Sequence, residues 1–382
     1  MSNQLTKIGF VLDASLDSTD GVQQYVIDLG EWLREKNYDV HYLVGETKRK
    51  DLKNIHSLSK NISVKFNGNR TNIPLPTSKK MLKDFLAKED FDILHIQAPY
   101  SPFLAQRIIQ SAYKRTVIIG TFHVVAYSKL VSFSSKLLSF WNGKSLKHFD
   151  QMLSTSPASK KFAKKTFGIE SRVLPNVIDY HRFNIARSIP EYADNVITIL
   201  FLGRLVPRKG CIALIESVNL LKNRNDLPEF RLLICGKGPQ ENQIRDLIAK
   251  YKLEDKITLK GFINEVDKPS YYASADISIF PSSGGESFGI VLLEALASGR
   301  SVVLGGNNIG YKSVLSPQPD LLFNPKNIHD IANKLSYFML RKEEAKKMRI
   351  WGSQYAKDFD ISIIGNELIK IYQKLLTSFN RY

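Results

Sequence analysis

Twice along this chain, short apolar runs that suit buried strands alternate with stretches of helical period. Lys7–Leu12 (KIGFVL) is the first such run. Val22, Val26, Leu29 and Leu33 then recur at three- and four-residue steps, the spacing of an amphipathic helix. Val40–Val44, Ile93–Ile96 and Thr116–Thr121 read as further strands. The alternation restarts with Ile197–Leu202 (ITILFL), Phe230–Cys235 (FRLLIC), Ile257–Leu259, Ile277–Phe280 (ISIF) and Val302–Leu304. Strands separated by helices build βαβ units and mostly parallel sheets. A length of 382 residues is too much for one ordinary core. The expectation is two doubly wound α/β domains, 1–187 and 188–360, joined through the polar stretch Asp179–Asn195. Residues 361–382 would form a terminal helix packing back toward the first domain. Ligands of such domains sit at the C-terminal ends of the strands, so a central cleft is the expected site.

Charge narrows the partners. Lys and Arg number 54 against 37 Asp and Glu, a formal net charge of +17. Residues 101–187 hold 14 of the basic side chains and only three acidic ones, Asp150, Glu170 and Asp179. Such an excess suits a phosphorylated substrate, an anionic membrane or nucleic acid. No helix-turn-helix, RNA-recognition or zinc signature is present, so nucleic acid is not expected. Cys211 and Cys235 are too few for a disulfide framework and read as core residues of a reducing compartment. The polar start, Met1–Lys7, is not expected to be a secretory signal. No apolar run reaches the ~20 residues of a membrane-spanning helix.

The most specific segment is Pro281–Gly299, PSSGGESFGIVLLEALASG. A strand ends, a Gly-Gly loop turns, and a helix is expected to start near Ser287. Glycines admit close backbone approach, and a helix N-terminus attracts a diphosphate. Glu286 and Glu294 stand with seven residues between them, able to hold two parts of one elongated, hydroxyl-rich ligand. A second loop, Gly203-Arg204-Leu205-Val206-Pro207-Arg208-Lys209-Gly210, follows ITILFL. Cations there can stabilise the charge of a departing diphosphate without a metal. Read alone, these residues are equally a turn and surface cations.

Together they resemble the signature of family 4 retaining glycosyltransferases, which have the GT-B fold: two Rossmann-like α/β domains facing a central cleft. The resemblance implies that Glu286 contacts hydroxyls of the transferred sugar and Glu294 the nucleotide ribose. Arg204 and Lys209 would grip the donor diphosphate, and Gly236, in Gly236-Lys237-Gly238-Pro239, is the next landmark. Ser287, Phe288, Gly289 and Ile290 would complete the donor loop. In the first half, Gly21 keeps a family glycine at the first helix, while Asp20 replaces its usual glycine neighbour. His123, in Thr121-Phe122-His123, is expected beside the reaction centre; a lone histidine at a strand end is otherwise a structural residue. Pro175–Asp179 is similar to the family's segment before its linker.

Within the family the chain resembles phosphatidylinositol mannosyltransferases and related lipid glycosyltransferases. Asp17 matches an acidic residue expected near the acceptor, and Ala14 stands where a tyrosine is usual. Ile263, Glu265 and Lys268 align with residues that contact guanine. The resemblance therefore implies hexosyl transfer from a nucleotide-sugar, GDP-mannose favoured, to a membrane lipid or other hydroxyl acceptor. A UDP-sugar-dependent glucosyl or GlcNAc transferase on a lipid or polysaccharide is the alternative. A nucleic-acid-binding protein or a catalytically silent sugar-binding protein ranks below both. The implied mechanism retains the anomeric configuration by front-side attack, the donor phosphate taking the acceptor's proton. It needs no tightly bound cofactor and no protein metal ligands, with Mg2+ at most an assistant. Lys129–Lys144 (KLVSFSSKLLSFWNGK) places Leu130, Phe133, Leu137 and Trp141 on one helical face with lysines around it. That pattern, with Lys160, Lys161, Lys164 and Lys165 nearby, suits peripheral docking on the anionic inner face of the cell membrane.

Overall fold

The structure, a computed structural model, describes residues 5–17, 21–66, 69–75, 77–123 and 145–379. Asp20 and the segment Lys129–Lys144 lie outside these residues. The chain forms two compact units, Met1–Val177 with Ile361–Tyr382, and Ile178–Asp360.

The first unit runs β1 (Lys7–Leu12), α1 (Gly21–Glu35), β2 (Asp39–Gly45), β3 (Ile55–Ser59), a hairpin of β4 (Asn61–Phe66) and β5 (Asn69–Pro74), α2 (Lys79–Glu89), β6 (Ile93–Gln97), α3 (Leu104–Ser111), β7 (Val117–Phe122), β8 (Gln151–Ser154), α4 (Pro157–Phe167) and β9 (Arg172–Val173). Among the described residues, seven parallel strands pair in the order β3-β2-β1-β6-β7-β8-β9. The order reverses between β1 and β6. The crevice at that point, beyond the strands' C-terminal ends, is where such sheets bind ligands.

The second unit runs α5 (Tyr180–Asn184), β10 (Ile197–Leu202), α6 (Cys211–Leu221), β11 (Phe230–Cys235), α7 (Glu241–Tyr251), β12 (Ile257–Gly261), α8 (Lys268–Ala273), β13 (Ile277–Phe280), α9 (Ile290–Ser298), β14 (Val302–Gly306), α10 (Ile309–Leu315), β15 (Leu322–Phe323), α11 (Ile328–Leu340) and α12 (Lys342–Ala356). Its parallel sheet is ordered β12-β11-β10-β13-β14-β15, with the reversal between β10 and β13. Cys211 and Cys235 are buried in its core, where burial raises both thiols, Cys235 to about 12. They are inert packing residues.

The last helix, α13 (Ile361–Phe379), belongs to the first unit. Ile361, Ile364, Leu368, Ile371 and Tyr372 enter the same core as Phe10, Val26 and Leu33. Gly365 lets the helix lie on α1: a Cβ there would stand 2.5 Å from the Trp32 ring. The Tyr372 hydroxyl meets His95 Nδ1 at 2.7 Å, deep under the sheet.

Two details differ from the expectation. Asp179–Asn195 does not bridge the units but lies within the second. Asp179 caps α5 by accepting from Arg182 N, and Phe183 and Tyr192 are buried in that unit's core. The helix expected near Ser287 begins at Ile290. Gly289, at φ 117°, holds a backbone shape that no helical residue takes and so delays the start. Among the described residues, no helix is long and apolar enough to cross a membrane.

Candidate active site

In the second unit the candidate residues come from loops after β10, β11, β12 and β13, and from α8 and α9. Two of those loops are drawn together by glycine. Gly210 sits at φ 75°, and a Cβ on it would lie 2.1 Å from the Pro281 carbonyl oxygen. Ser283 N donates to the Arg208 carbonyl at 2.8 Å, stitching the same pair of loops. Gly236 does similar work beside them, where a Cβ would meet the Gly203 oxygen at 1.9 Å. This landmark glycine therefore admits a neighbouring loop. Gly284 is different: an added Cβ would have nothing within 4 Å, so its backbone faces open space.

This approach delivers two cations to Glu286. Arg208 Nη1 donates to Glu286 Oε1 at 2.6 Å, Lys209 Nζ lies 2.8 Å from it, and Ser282 Oγ donates at 2.8 Å. All three reach the same oxygen. The Glu286 side chain is 14% exposed. Burial alone would raise its carboxyl, but Lys209 and Arg208 outweigh burial and hold it below the ordinary range. Glu286 is thus ionised at neutral pH. Arg208 was not singled out in the sequence. Its signal was the run Pro207-Arg208-Lys209, which forms a single 3-10 turn and presents two adjacent cations to one acid. Arg204, half-buried, is on the same loop upstream.

The second glutamate heads a separate network. Glu294 is buried on α9, 5% exposed, so it is not a solvated helix residue. Its Oε2 accepts from the Tyr272 hydroxyl at 2.9 Å, and Oε1 lies 3.8 Å from Lys268 Nζ. Lys268 also pairs with Glu265 at 2.6 Å. Burial would lower the Lys268 ammonium; Glu294 and Glu265 reverse this and raise it. Arg182 donates to the Glu265 backbone oxygen. So Glu265, Lys268 and Glu294 gather at one place, with Tyr272 and Arg182 as partners that sequence spacing did not indicate. Ile263 is half-buried against the core. Phe288 is buried edge-on to Phe359, so only its backbone is available to a ligand; Ser287 and Ile290 flank it half-buried.

In the first unit His123 follows β7. It is 5% exposed, with Nε2 2.6 Å from Gln97 Oε1 at the end of β6 and the Tyr25 ring edge-on at 5.1 Å. Burial lowers its pKa to about 3, so the imidazole is neutral under ordinary conditions. Gly21 opens α1 and is exposed. Asp17 is exposed as well, but tied: its Oδ1 accepts from Thr47 Oγ1 at 2.6 Å and Lys48 N at 2.9 Å. Burial would raise this carboxyl, and hydrogen bonds from Thr47, Ser15 and the Lys48 and Arg49 backbone lower it overall. Asp17 and His123 have separate partners.

Both halves match known families. The profile "Glycosyltransferase Family 4" covers residues 19–182, and "Glycosyl transferases group 1" covers 183–355. A phosphatidyl-myo-inositol mannosyltransferase of Mycolicibacterium smegmatis is 31% identical over 303 residues, 78% of this chain and 75% of the relative. The chain belongs to glycosyltransferase family 4. A second family 4 relative, the phosphatidyl-myo-inositol mannosyltransferase of Mycobacterium tuberculosis, is 26% identical over 388 residues, 97% of this chain and 98% of its own. A crystal structure of a glycosyltransferase from Rickettsia africae superposes with a TM-score of 0.75 at 19% identity, covering 97% of this chain and 99% of that one. The fold of this family 4 glycosyltransferase is therefore GT-B, with a parallel α/β sheet in each unit.

Proposed function

We propose that this glycosyltransferase moves a hexose, mannose in the favoured reading, from a nucleotide-sugar to a lipid hydroxyl with retention of configuration. The observation that carries the reading is the Glu286–Arg208–Lys209 cluster. It sets an ionised acceptor for sugar hydroxyls directly beside two cations suited to a diphosphate. With Oε1 held by three donors, Oε2 is the oxygen offered to the sugar. Fixed cations facing the departing nucleotide diphosphate stabilise charge as it develops. Arg204 joins them from the same loop. Glu294 holds the ribose through a hydroxyl hydrogen bond. His123, neutral, would accept or donate one hydrogen bond near the sugar without adding charge.

No resident cofactor is needed for this chemistry, and Mg2+ enters only with the donor. Front-side attack fits a carboxylate already committed to two cations. Such a group is a poor covalent nucleophile, unlike the closely paired acids of retaining glycosidases. For the donor base, Glu265 supports guanine, whose N1 and N2 are donors that uracil lacks. That carboxylate is shared with Lys268, so the preference is the finer part of the reading. Its test is a melting-temperature panel with GDP, UDP, ADP and their sugars, followed by transfer of labelled hexose to extracted lipid. GDP and GDP-mannose are expected to give the largest upward shift, and Glu265→Ala to reduce the GDP shift more than the UDP shift. A larger shift with UDP-sugars would move the donor to the alternative reading.

The lipid acceptor rests on the relatives and on charge. Lys160, Lys161, Lys164 and Lys165 are exposed on α4, and among them Lys164 meets an acid, Glu170, at 2.5 Å. Each cation near an anionic surface contributes about 1 kcal/mol of attraction. We place the enzyme on the inner face of the membrane. Flotation should recover it with vesicles containing phosphatidylglycerol and not with phosphatidylcholine alone. Equal, negligible recovery would remove the membrane from the proposal.

A further inference from the structure

The opposite end of the first sheet carries a second chemical cluster. Lys7 and Asp39 begin β1 and β2, so the group lies at the strands' N-terminal ends, away from His123 and Asp17. His41 on β2, His56 on β3 and Glu89 at the end of α2 each direct one potential ligand atom to a common point, all within 4.8 Å of one another. His41 Nδ1 is 2.8 Å from His56 Nε2 and 3.9 Å from Glu89 Oε2. The two imidazoles are parallel within 1° at a centroid separation of 5.1 Å. Their nitrogens therefore face each other across the gap. Phe91 stands edge-on to His41 and Phe85 to His56, which walls the rings with apolar surface.

We propose that His41 Nδ1, His56 Nε2 and Glu89 Oε2 bind one divalent cation of the zinc class. The outer contacts fit that role. His41 Nε2 is 3.1 Å from Asp39 Oδ2, and Asp39 Oδ1 in turn accepts from Asn54 Nδ2 at 3.2 Å. A carboxylate on the far ring nitrogen fixes the His41 proton there and leaves Nδ1 as an acceptor, which takes a hydrogen bond from His56 Nε2; an ion replaces that bond when the His56 proton moves to its Nδ1. Two imidazoles and one carboxylate match Zn2+, with water as fourth ligand, whereas Ca2+ and Mg2+ favour all-oxygen sites. Zn–N bonds of about 2.0–2.1 Å in a tetrahedron set nitrogens about 3.3 Å apart. His41 Nδ1 and His56 Nε2 need to part by about half an ångström, and the rings to turn so that both lone pairs converge on the ion. His41 and His56 stand on paired strands, and Glu89 ends a helix that packs beside them. A bound ion would clip the edge strand β3 to β2 and α2, a structural role distinct from transfer.

Lys7 opposes the ion. Its Nζ is 2.7 Å from Glu89 Oε2 and also lies over the Phe91 ring. Its side chain is 21% exposed and can swing into solvent. Lys7 therefore competes with the metal for Glu89, which gives the proposal a test of opposite signs. Untagged, EDTA-treated full-length protein is titrated with Zn2+ by calorimetry and with Co2+ by visible absorption. One equivalent should bind, with the intense bands of tetrahedral Co2+. His56→Ala and Glu89→Gln should each weaken binding at least about tenfold, as should the outer variant Asp39→Asn. Lys7→Gln should tighten it. Circular dichroism is the check that each variant is folded. Failure of the wild type to bind, or unchanged affinity in folded His56→Ala and Glu89→Gln, overturns the site. Weaker binding in Lys7→Gln overturns the proposal, because Lys7 would then support the ion instead of competing with it.

Discussion

Replacing Glu286 with alanine is expected to abolish sugar transfer and also to destabilise the second unit. The catalytic loss should be on the order of 10²–10³-fold or more, the size seen when a group aimed at developing charge is removed. The stability loss follows from its surroundings. Arg208 and Lys209, 22% and 14% exposed at the side chain, both point at this carboxylate. Without it two largely buried cations face each other unpaired, which costs about 3 kcal/mol. A loss of activity in the alanine variant alone would therefore be ambiguous. Glu286→Gln separates the two effects, because the amide keeps the shape and one acceptor oxygen. It should melt much closer to the wild type yet still transfer poorly. Near-normal turnover by Glu286→Gln would remove the carboxylate from the mechanism, and near-normal melting of Glu286→Ala would show that the cations have other partners.

Between pH 7 and pH 5 the first unit should lose about 3 kcal/mol of stability. His95 and His123 carry most of it; half-buried His41 and His56, also lowered by burial, add to it in the same direction. His95 is fully buried, holding Tyr372 through Nδ1 and Thr121 through Nε2, each at 2.7 Å, against the Phe10 ring. Burial, with a smaller contribution from His123, lowers it to about 3. Burial does the same for His123, which faces Gln97 and Tyr25. A histidine whose folded pKa lies below its unfolded 6.5 favours the folded state only above 6.5. As pH falls the unfolded chain takes up protons that the folded chain refuses. At pH 5 each site costs about 2 kcal/mol, a figure insensitive to the depressed value so long as it stays well below 5. Asp13 works the other way. Burial raises its carboxyl to about 6, against hydrogen bonds from Ser101, Ala105 and Phe103, so its contribution grows below pH 6. It returns about 1 kcal/mol at pH 5. Calorimetry at the two pH values measures the net change. His123→Gln should flatten the dependence by roughly half of the histidine share; an unchanged slope would show that the folded imidazole takes up its proton as readily as the unfolded one.

The strands most visible in the sequence were those buried on both faces. ITILFL, FRLLIC, ISIF and KIGFVL have the bounds that composition implied, because a central parallel strand has no polar face. The missed strands include edges, fragments, the β4–β5 hairpin and the short interior strand Gln151–Ser154. Ile55–Ser59 mixes His and Ser with partial exposure, and Arg172–Val173 and Leu322–Phe323 are two residues long. Neither period nor apolar content marks such pieces. The site divides similarly. Glu286 and Glu294 stood out by their spacing and Lys209 by the resemblance of its loop to the family's. Arg208 and Tyr272 were not, since their roles arise when loops 74 or more residues apart, or a helix and its neighbour, meet. His41, His56 and Glu89 form no motif because parallel pairing, and not sequence, brings them side by side.

The split of the first unit across both ends of the chain has a consequence for synthesis. A ribosome delivers Met1–Val177 first, but the core that those residues build includes Leu368, Ile371 and Tyr372. Until α13 emerges, His95 lacks the hydroxyl on its Nδ1, and the Trp32 surface against which Gly365 packs lies uncovered. Ile178–Asp360 holds its entire core in one continuous stretch. The order of completion is therefore inverted: the later-made unit can finish first, while the earlier one waits, exposed, for α13. Synthesis of Ile361–Phe379 thus governs how long the first unit of a nascent chain stays open to chaperones and proteases.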